Sequence, residues 1–493
     1  MAGERTPLFH SDANVRGTKR QKSLYRITLV VLVSATVGVV LYAISNRYST
    51  SSTESAKLSS LLNATENDWF CNEPSFEASY IKLANKKDDY YFYWFAASRN
   101  DPSSDPLVLW LTGGPGGSSM LAMLTENGPC MVKPDVSTER NVYSWSNNAN
   151  VIWLDQPTGV GFSYDGGSDD DDYTELDVGA NIYAFLQGFL DKHPEFEGRD
   201  FYITGESYGG HYVPGASHYI WQQNKASGDK RINLQGIAIG NGLTNPLVQY
   251  KYNQDMVNNQ YNISLLTEEQ AAQMKTDSEE CIELTKLCQI APNNDTVCVD
   301  APACWGEKLI MPFYSARRNL YDIRQPCSGD TPESCGLQTS YLDEWFATEP
   351  VAQYLNFTTK RWIELNDTVD RAIVDSGDWS FSYHEYVADL LNDGLRVLIY
   401  AGDADLMCNW IGNRAWTLEL DWKNKEGFNA AEEHAFVAVD PFVDGASKVD
   451  AGVARQYKNF AFIRLYESGH MVPTDQPAVS WVMIDKFFND GQY

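Results

Sequence analysis

The sequence predicts an α/β fold with a mostly parallel central sheet, and three observations carry that expectation. Short apolar runs recur and stop at glycine or polar residues: Leu107–Leu111, Val151–Leu154, Phe201–Thr204, Leu234–Ile239, Arg396–Tyr400 and Phe460–Leu465. Such continuous runs suit strands buried on both faces. Helix-compatible stretches lie between them, the alternation typical of an α/β sheet. Finally, the run Phe201–Thr204 opens directly onto Gly205-Glu206-Ser207-Tyr208-Gly209, and a helix-compatible stretch follows to Gln223.

The bulk properties set limits. A chain of 493 residues, 43% hydrophobic with 14 Trp, 28 Tyr and 21 Phe, has the material for one large packed domain with an insertion, or for two domains. A net charge of −28 argues against nucleic acid as a partner, because phosphate binding needs a cationic surface. The uncharged, apolar run from Ile27 to Ser45 is long enough to cross a bilayer. Arg16, Lys19, Arg20, Lys22 and Arg26 precede it, whereas only Arg47 and Lys57 follow closely, which keeps the short tail cytosolic. The expected organisation is therefore a cytosolic tail (1–26), a transmembrane signal anchor (27–45), a Ser/Thr-rich stalk (46–67) and a lumenal catalytic domain (68–493). Cleavage after Ser45 is the alternative and would release the body for secretion. A secretory, endolysosomal or vacuolar setting agrees with the sequons at Asn63, Asn262, Asn294, Asn356 and Asn366, all beyond the anchor.

Between about 245 and 376 the strand rhythm breaks. This stretch reads as a cap inserted over the strand ends. It holds or adjoins Cys281, Cys288, Cys298, Cys304, Cys327 and Cys335, six of the nine cysteines, a local disulfide cluster in an oxidising lumen. No Cys-x-x-Cys spacing suggests zinc. The acid run Asp169–Asp172 reads as a solvated turn more readily than as a calcium loop. No metal and no cofactor are expected.

Gly-x-Ser-x-Gly between a strand and a helix is a nucleophile elbow: the serine sits on a strained turn whose neighbours must lack bulk. This points to the α/β-hydrolase fold with Ser207 as nucleophile. A serine hydroxyl needs a general base. Of the seven histidines, His10 lies in the tail, His193 ends a helix, and His211 and His218 share the helix after Ser207. His384 lies in the return from the insertion and His434 in an acidic segment. His470, after a strand near the C-terminus, remains. Chain order in this fold places the acid between nucleophile and histidine. Gly402-Asp403-Ala404-Asp405 offers two candidates, and spacing alone does not separate them. Backbone N–H donors for a developing oxyanion are expected from Tyr208 and from the glycine-rich loop Gly113–Gly117.

Together, Leu111–Ser119, Asp155–Ser163, Gly205–Pro214, Gly240–Gly242, Ala401–Asp405 and Gly469–Pro473 resemble the serine carboxypeptidases. The resemblance runs from about residue 69 to the end. It implies a triad of Ser207, Asp405 and His470, with Gly114 N–H as the second oxyanion donor. It implies that Trp110, Thr112, Gly113, Glu126 and Glu206 bind the terminal carboxylate of a peptide or protein substrate. A carboxyl pair can do so only while a proton is shared, so activity is expected to be best at mildly acidic pH. Cys408 and Met471 are implied to line the leaving-residue pocket, with Cys408 unpaired. The implied disulfides are 281–304, 288–298, 327–335 and 71–130. The family often has Asn in place of Thr112, and Cys in place of Gly117. Two rivals stand beside a serine-type carboxypeptidase: an acyltransferase of the same fold, and a non-catalytic protective or binding protein. Self-association is left open by the sequence.

Overall fold

In the computed structural model, which describes residues 68–167, 174–226, 231–292, 295–358 and 360–493, the apolar runs become adjacent strands. In chain order the strands are β1 (Phe76–Lys82), β2 (Asp89–Ala96), β3 (Leu107–Leu111), β4 (Cys130–Val132), β5 (Thr138–Arg140), β6 (Asn150–Leu154) and β7 (Tyr164–Asp165). They continue with β8 (Phe201–Glu206), β9 (Leu234–Gly240), β10 (Arg396–Gly402), β11 (His434–Ala438), β12 (Val449–Tyr457) and β13 (Phe460–Leu465). The large sheet has the order β1-β2-β6-β3-β8-β9-β10-β13-β12-β11, with β7 on β2, while β4 and β5 form a separate hairpin.

The expectation of a mostly parallel sheet is corrected to a mixed one. The six strands from β6 to β13 in that order run parallel. Outside them, β1, β2 and β7 on one side and β12 and β11 on the other pair antiparallel. Short connections explain the difference. Only two residues, Lys458 and Asn459, separate β12 from β13, and so short a link permits only an antiparallel pair.

Strand alternation divides the core into two. Leu107, Leu109 and Leu111 of β3 face one side with Ile152, Ile203, Ile237 and Ile399. Val178, Ile182, Phe185 and Phe189 of the helix Glu175–Lys192 pack there. Val108 and Trp110 face the other side with Trp153, Tyr202 and Leu398, beneath Met483 and Phe487 of the helix Pro477–Asn489. Every residue of β3, β6 and β8 is buried, as expected for strands covered on both faces.

Between β9 and β10 the chain leaves the sheet for a run of helices. The longest, Glu268–Ile290, opens with a capping box formed by Thr267 and Gln270. Cys281 and Cys288 lie two turns apart on it, hence on one face, and bond to Cys304 and Cys298 as nested staples. Cys327–Cys335 closes a third loop, and Cys71–Cys130 ties the start of the body to β4. Residues 69–493 make one compact unit.

The expected anchor (27–45), the stalk (46–67), Asn63, Asn294 and the acid run Asp169–Asp172 lie outside the described residues. Among the described residues no helix is long and apolar enough to cross a membrane.

Of the remaining sequons, Asn262 and Asn356 are exposed. Asn366 is occupied differently. Its Oδ1 caps the helix Asp367–Asp375 by accepting from Thr368 N–H at 2.9 Å, and its Nδ2 donates to Gly159 O at 2.7 Å. A glycan would take one of the two hydrogens of that nitrogen and crowd the Gly159 contact. Glycopeptide mapping should therefore find sugar at Asn262 or Asn356 with Asn366 bare; a fully occupied Asn366 would contradict this geometry.

Candidate active site

β8 ends at Glu206 and the next helix begins at Gly209, leaving Ser207 on the turn with φ +63°. An L-residue in the left-handed region costs roughly 1–2 kcal/mol, so the surroundings must impose it. Ser207 N–H donates to Gly240 O at 3.2 Å, and Ser207 O accepts from Gly210 and Leu243 N–H, each at 2.9 Å. The close approach explains Gly205: a Cβ there would stand 2.5 Å from Leu111 O.

His470 and Asp405 come together as the resemblance implies. His470 Nδ1 lies 2.8 Å from Asp405 Oδ2, and both residues are buried. Asp405 also accepts from Asn241 Nδ2 at 2.8 Å, Met407 N–H at 2.9 Å and Cys408 N–H at 3.2 Å. A carboxylate can only accept, so the proton sits on Nδ1 and leaves Nε2 as the free nitrogen. Asp403 is engaged elsewhere, with the Tyr261 hydroxyl and, at 3.1 Å, Arg464 Nη2.

Four other histidines are engaged elsewhere. His211 Nδ1 meets Leu243 O at 2.6 Å, His218 pairs with Asp389, His193 with Glu77, and His434 with Tyr493 O. Among the described residues no hydrogen bond joins Ser207 to His470. Tyr321, whose ring meets that of His470 edge-on at 5.1 Å, lines the same cavity as Ser207. Nucleophile–base contacts often tighten only when substrate is bound.

Gly113 presses against the elbow: a Cβ there would lie 2.3 Å from Tyr208 N. Gly114 follows with φ +120°, beside Ser207 and Tyr208 in one cavity. Neither Gly114 N–H nor Tyr208 N–H forms a hydrogen bond among the described residues. Two bare donors beside a strained serine can stabilise an oxyanion.

Asp155 anchors this loop, a role the sequence reading did not assign. Its Oδ1 accepts from Ser118 Oγ at 2.5 Å and Ser119 N–H at 3.1 Å, and its Oδ2 from Phe162 N–H at 2.9 Å. Burial pushes its carboxyl up to about 7. Position was the available signal: an acid directly after an apolar strand and six residues before Gly161.

Glu126 and Glu206 are both buried, and each lies close enough to the other to shift its ionisation. Burial pushes Glu126 up to about 7, and burial followed by the charge of Glu126 holds Glu206 well above the ordinary carboxyl range. Each keeps a buried Oε2 without a partner. Thr112 stands over Trp110, accepting its indole N–H at 2.9 Å on Oγ1. The expected direct role of Trp110 is thus refined: its only indole donor is spent on Thr112, whose own hydroxyl proton stays available. Where Gly117 replaces the family cysteine, it forms an antiparallel backbone bridge with Leu365.

Cys408 and Met471, expected to line the leaving-residue pocket, each line a cavity that has Tyr321 in its wall. Met471 lines a space of about 350 Å³ with Thr125, Met131, Leu337 and Tyr341. Cys408, a free thiol, lines the cleft of Ser207 and Tyr208 with Tyr250, Trp305 and Trp379.

The chain is 38% identical over 403 residues to carboxypeptidase Y of Komagataella phaffii, covering 82% of this chain and 74% of that one. It is 37% identical to a vacuolar serine-type carboxypeptidase of Saccharomyces cerevisiae, covering 83% and 78%. A crystal structure of Kex1(Δ)p, a prohormone-processing carboxypeptidase from Saccharomyces cerevisiae, superposes with TM-score 0.72 at 25% identity, covering 85% of this chain and 94% of that one. Residues 71–490 match the serine carboxypeptidase family, and the chain belongs to it: it is a serine-type peptidase.

Proposed function

We propose that the protein removes residues singly from peptide C-termini through an acyl-enzyme on Ser207. The observation that carries this reading is the His470–Asp405 hydrogen bond at the end of the sheet that holds Ser207 in its strained turn. Ser207 Oγ attacks the scissile carbonyl while His470 Nε2 takes its proton, and Asp405 steadies the imidazolium. Gly114 and Tyr208 N–H receive the oxyanion. His470 then protonates the departing amine, and water repeats the sequence to free the acyl group.

The Glu126–Glu206 pair supplies the restriction to C-termini. While the pair retains a proton it can hydrogen-bond the terminal carboxylate, with Thr112 as a further donor. The cavity containing Thr125 and Met471 adjoins Glu126 in the chain and suits the leaving residue. The aromatic cleft with Cys408 suits the residue on the acyl side. The helical insertion at about 245–376 acts as a cap. The run 27–45 anchors the enzyme with its catalytic body in the lumen of a secretory or vacuolar compartment, in keeping with the vacuolar name of one relative.

Three outcomes are expected. Mass analysis of a peptide digest should show a ladder shortening from the C-terminus. Ser207→Ala should abolish it, whereas interior cleavage would discard the reading. Asp405→Asn should lower kcat by about 10⁴-fold, as an orienting aspartate does, while Asp403→Asn should cost far less. The pH dependence follows from the raised carboxyls: KM stays low while the pair is protonated and rises as pH passes about 7, where Glu126 ionises. Glu206→Gln should flatten that alkaline limb. An unchanged profile would remove Glu206 from carboxylate binding.

A further inference from the structure

Behind Tyr208 lies a closed cluster that the hydrolytic steps leave unused. Asp378, at the edge of the inserted segment and 3% exposed, accepts from Tyr208 OH at 2.8 Å on Oδ2. Its Oδ1 accepts from Tyr383 OH at 2.7 Å and Glu175 N–H at 3.1 Å. The Glu175 carboxyl is also buried and fills space left by Gly215, where a Cβ would stand 2.6 Å from Oε2. The Tyr208 ring stacks on His211 at 4.3 Å and on Trp379, the residue after Asp378, at 5.4 Å. Tyr212, one turn further, meets Tyr208 edge-on, and its hydroxyl oxygen accepts from Gly116 N–H at 3.1 Å. Both arms of the oxyanion cradle therefore rest on this cluster.

The geometry points to Asp378 as a positioning residue for the oxyanion donor of Tyr208. Tyr208 sits on the turn between β8 and the helix, and among the described residues its N–H has no hydrogen bond to fix its direction. The peptide unit is instead aimed from the far end of its own side chain: the ring is clamped by two aromatic faces, and the hydroxyl is tied to a buried carboxyl. Donors to a developing oxyanion act only within narrow limits of distance and direction. Loosening the tie releases the donor without touching the substrate. Because Trp379 and Tyr208 both line the acyl-side cleft, the same aspartate sets a pocket wall and the donor beside it.

This inference rests on Ser207 as nucleophile with Gly114 and Tyr208 as donors, and the test separates the two levels. In the full-length protein, Tyr208→Phe, Asp378→Asn and the double variant are titrated to completion with a fluorophosphonate. They are then assayed on a blocked dipeptide. Affinity for a peptide aldehyde, which forms a tetrahedral adduct, is compared with affinity for a blocked amino acid product. Each single variant should lower kcat about 10- to 100-fold. Aldehyde affinity should fall in parallel, while KM and product affinity stay within about twofold. The double variant should be no worse than the poorer single one, since both cut the same link. Tyr208→Phe with full labelling and kcat within about twofold of the parent overturns the role of Asp378, as do additive losses in the double variant. Should Asp378→Asn fail to fold, Tyr208→Phe, which keeps both carboxyls, decides alone. Failure of the unmodified protein to label at Ser207 sinks the hydrolytic reading itself.

Discussion

The register between β3 and β8 is the constraint on which the site depends. Leu111 pairs with Gly205, so the residues three further along each strand, Gly114 and Tyr208, arrive at one place. Between them Gly113 lies so close to the elbow that no side chain fits, and Ser207 is driven into the left-handed region. The same logic extends across the sheet. Glu206 pairs with Gly240, which brings Asn241 toward the acid. Gly402 pairs with Leu465, which sets Asp405 and His470 on neighbouring loops, and Ala404 N–H reaches Ser468 O at 2.8 Å. The reacting groups all stand just past the C-terminal ends of adjacent parallel strands, where loops can converge without breaking the ladder.

Acidity runs through the molecule at two depths. The net charge of −28 is a property of composition, while the buried carboxyls are a property of folding. Burial raises Glu126 and Asp155 to about 7 and Asp378 and Asp475 to about 6. For a group raised in the folded state, the contribution to stability is fully present below its unfolded value and is lost as pH climbs through its folded one. These carboxyls thus favour the folded form in acid, and that contribution is lost as pH climbs from about 4 to about 7. Structure and proposed chemistry consequently ask for the same conditions.

Much of this was legible in the chain. Continuous apolar runs marked the parallel strands to within two residues, because burial on both faces leaves little room for polar substitutions. Edge strands were harder. β1 mixes polar with apolar residues along its length, and β11 carries exposed His434, Ala435 and Val437, so neither read as sheet. The parallel count was too generous because hairpin links look like any other turn in sequence. The choice between Asp403 and Asp405 could not be made from spacing. It depends on which carboxyl points back toward Asn241 and which outward to Arg464, a direction set by a loop. Asp155, Tyr212 and Asp378 stayed silent for a related reason: their partners lie at sequence distances that no motif spans.

The hydrogen bonds of the inserted segment show what it does. It contributes no proposed triad member, yet it holds both the histidine loop and the glycine-rich loop. Tyr321 O accepts from His470 N–H at 2.7 Å. Glu364 O accepts from Ser118 N–H at 2.8 Å, and Asn366 N–H donates to Gly116 O at 3.0 Å, so a short strap runs along the glycine-rich loop. Trp362 donates its indole N–H to Ser118 Oγ at 2.8 Å. Just past its end, Asp378 holds Tyr208. The sheet fixes where the reacting groups emerge, but backbone donors and an imidazole on loops need a second body to fix their direction. The insertion supplies that body, and its disulfides keep it rigid enough to serve.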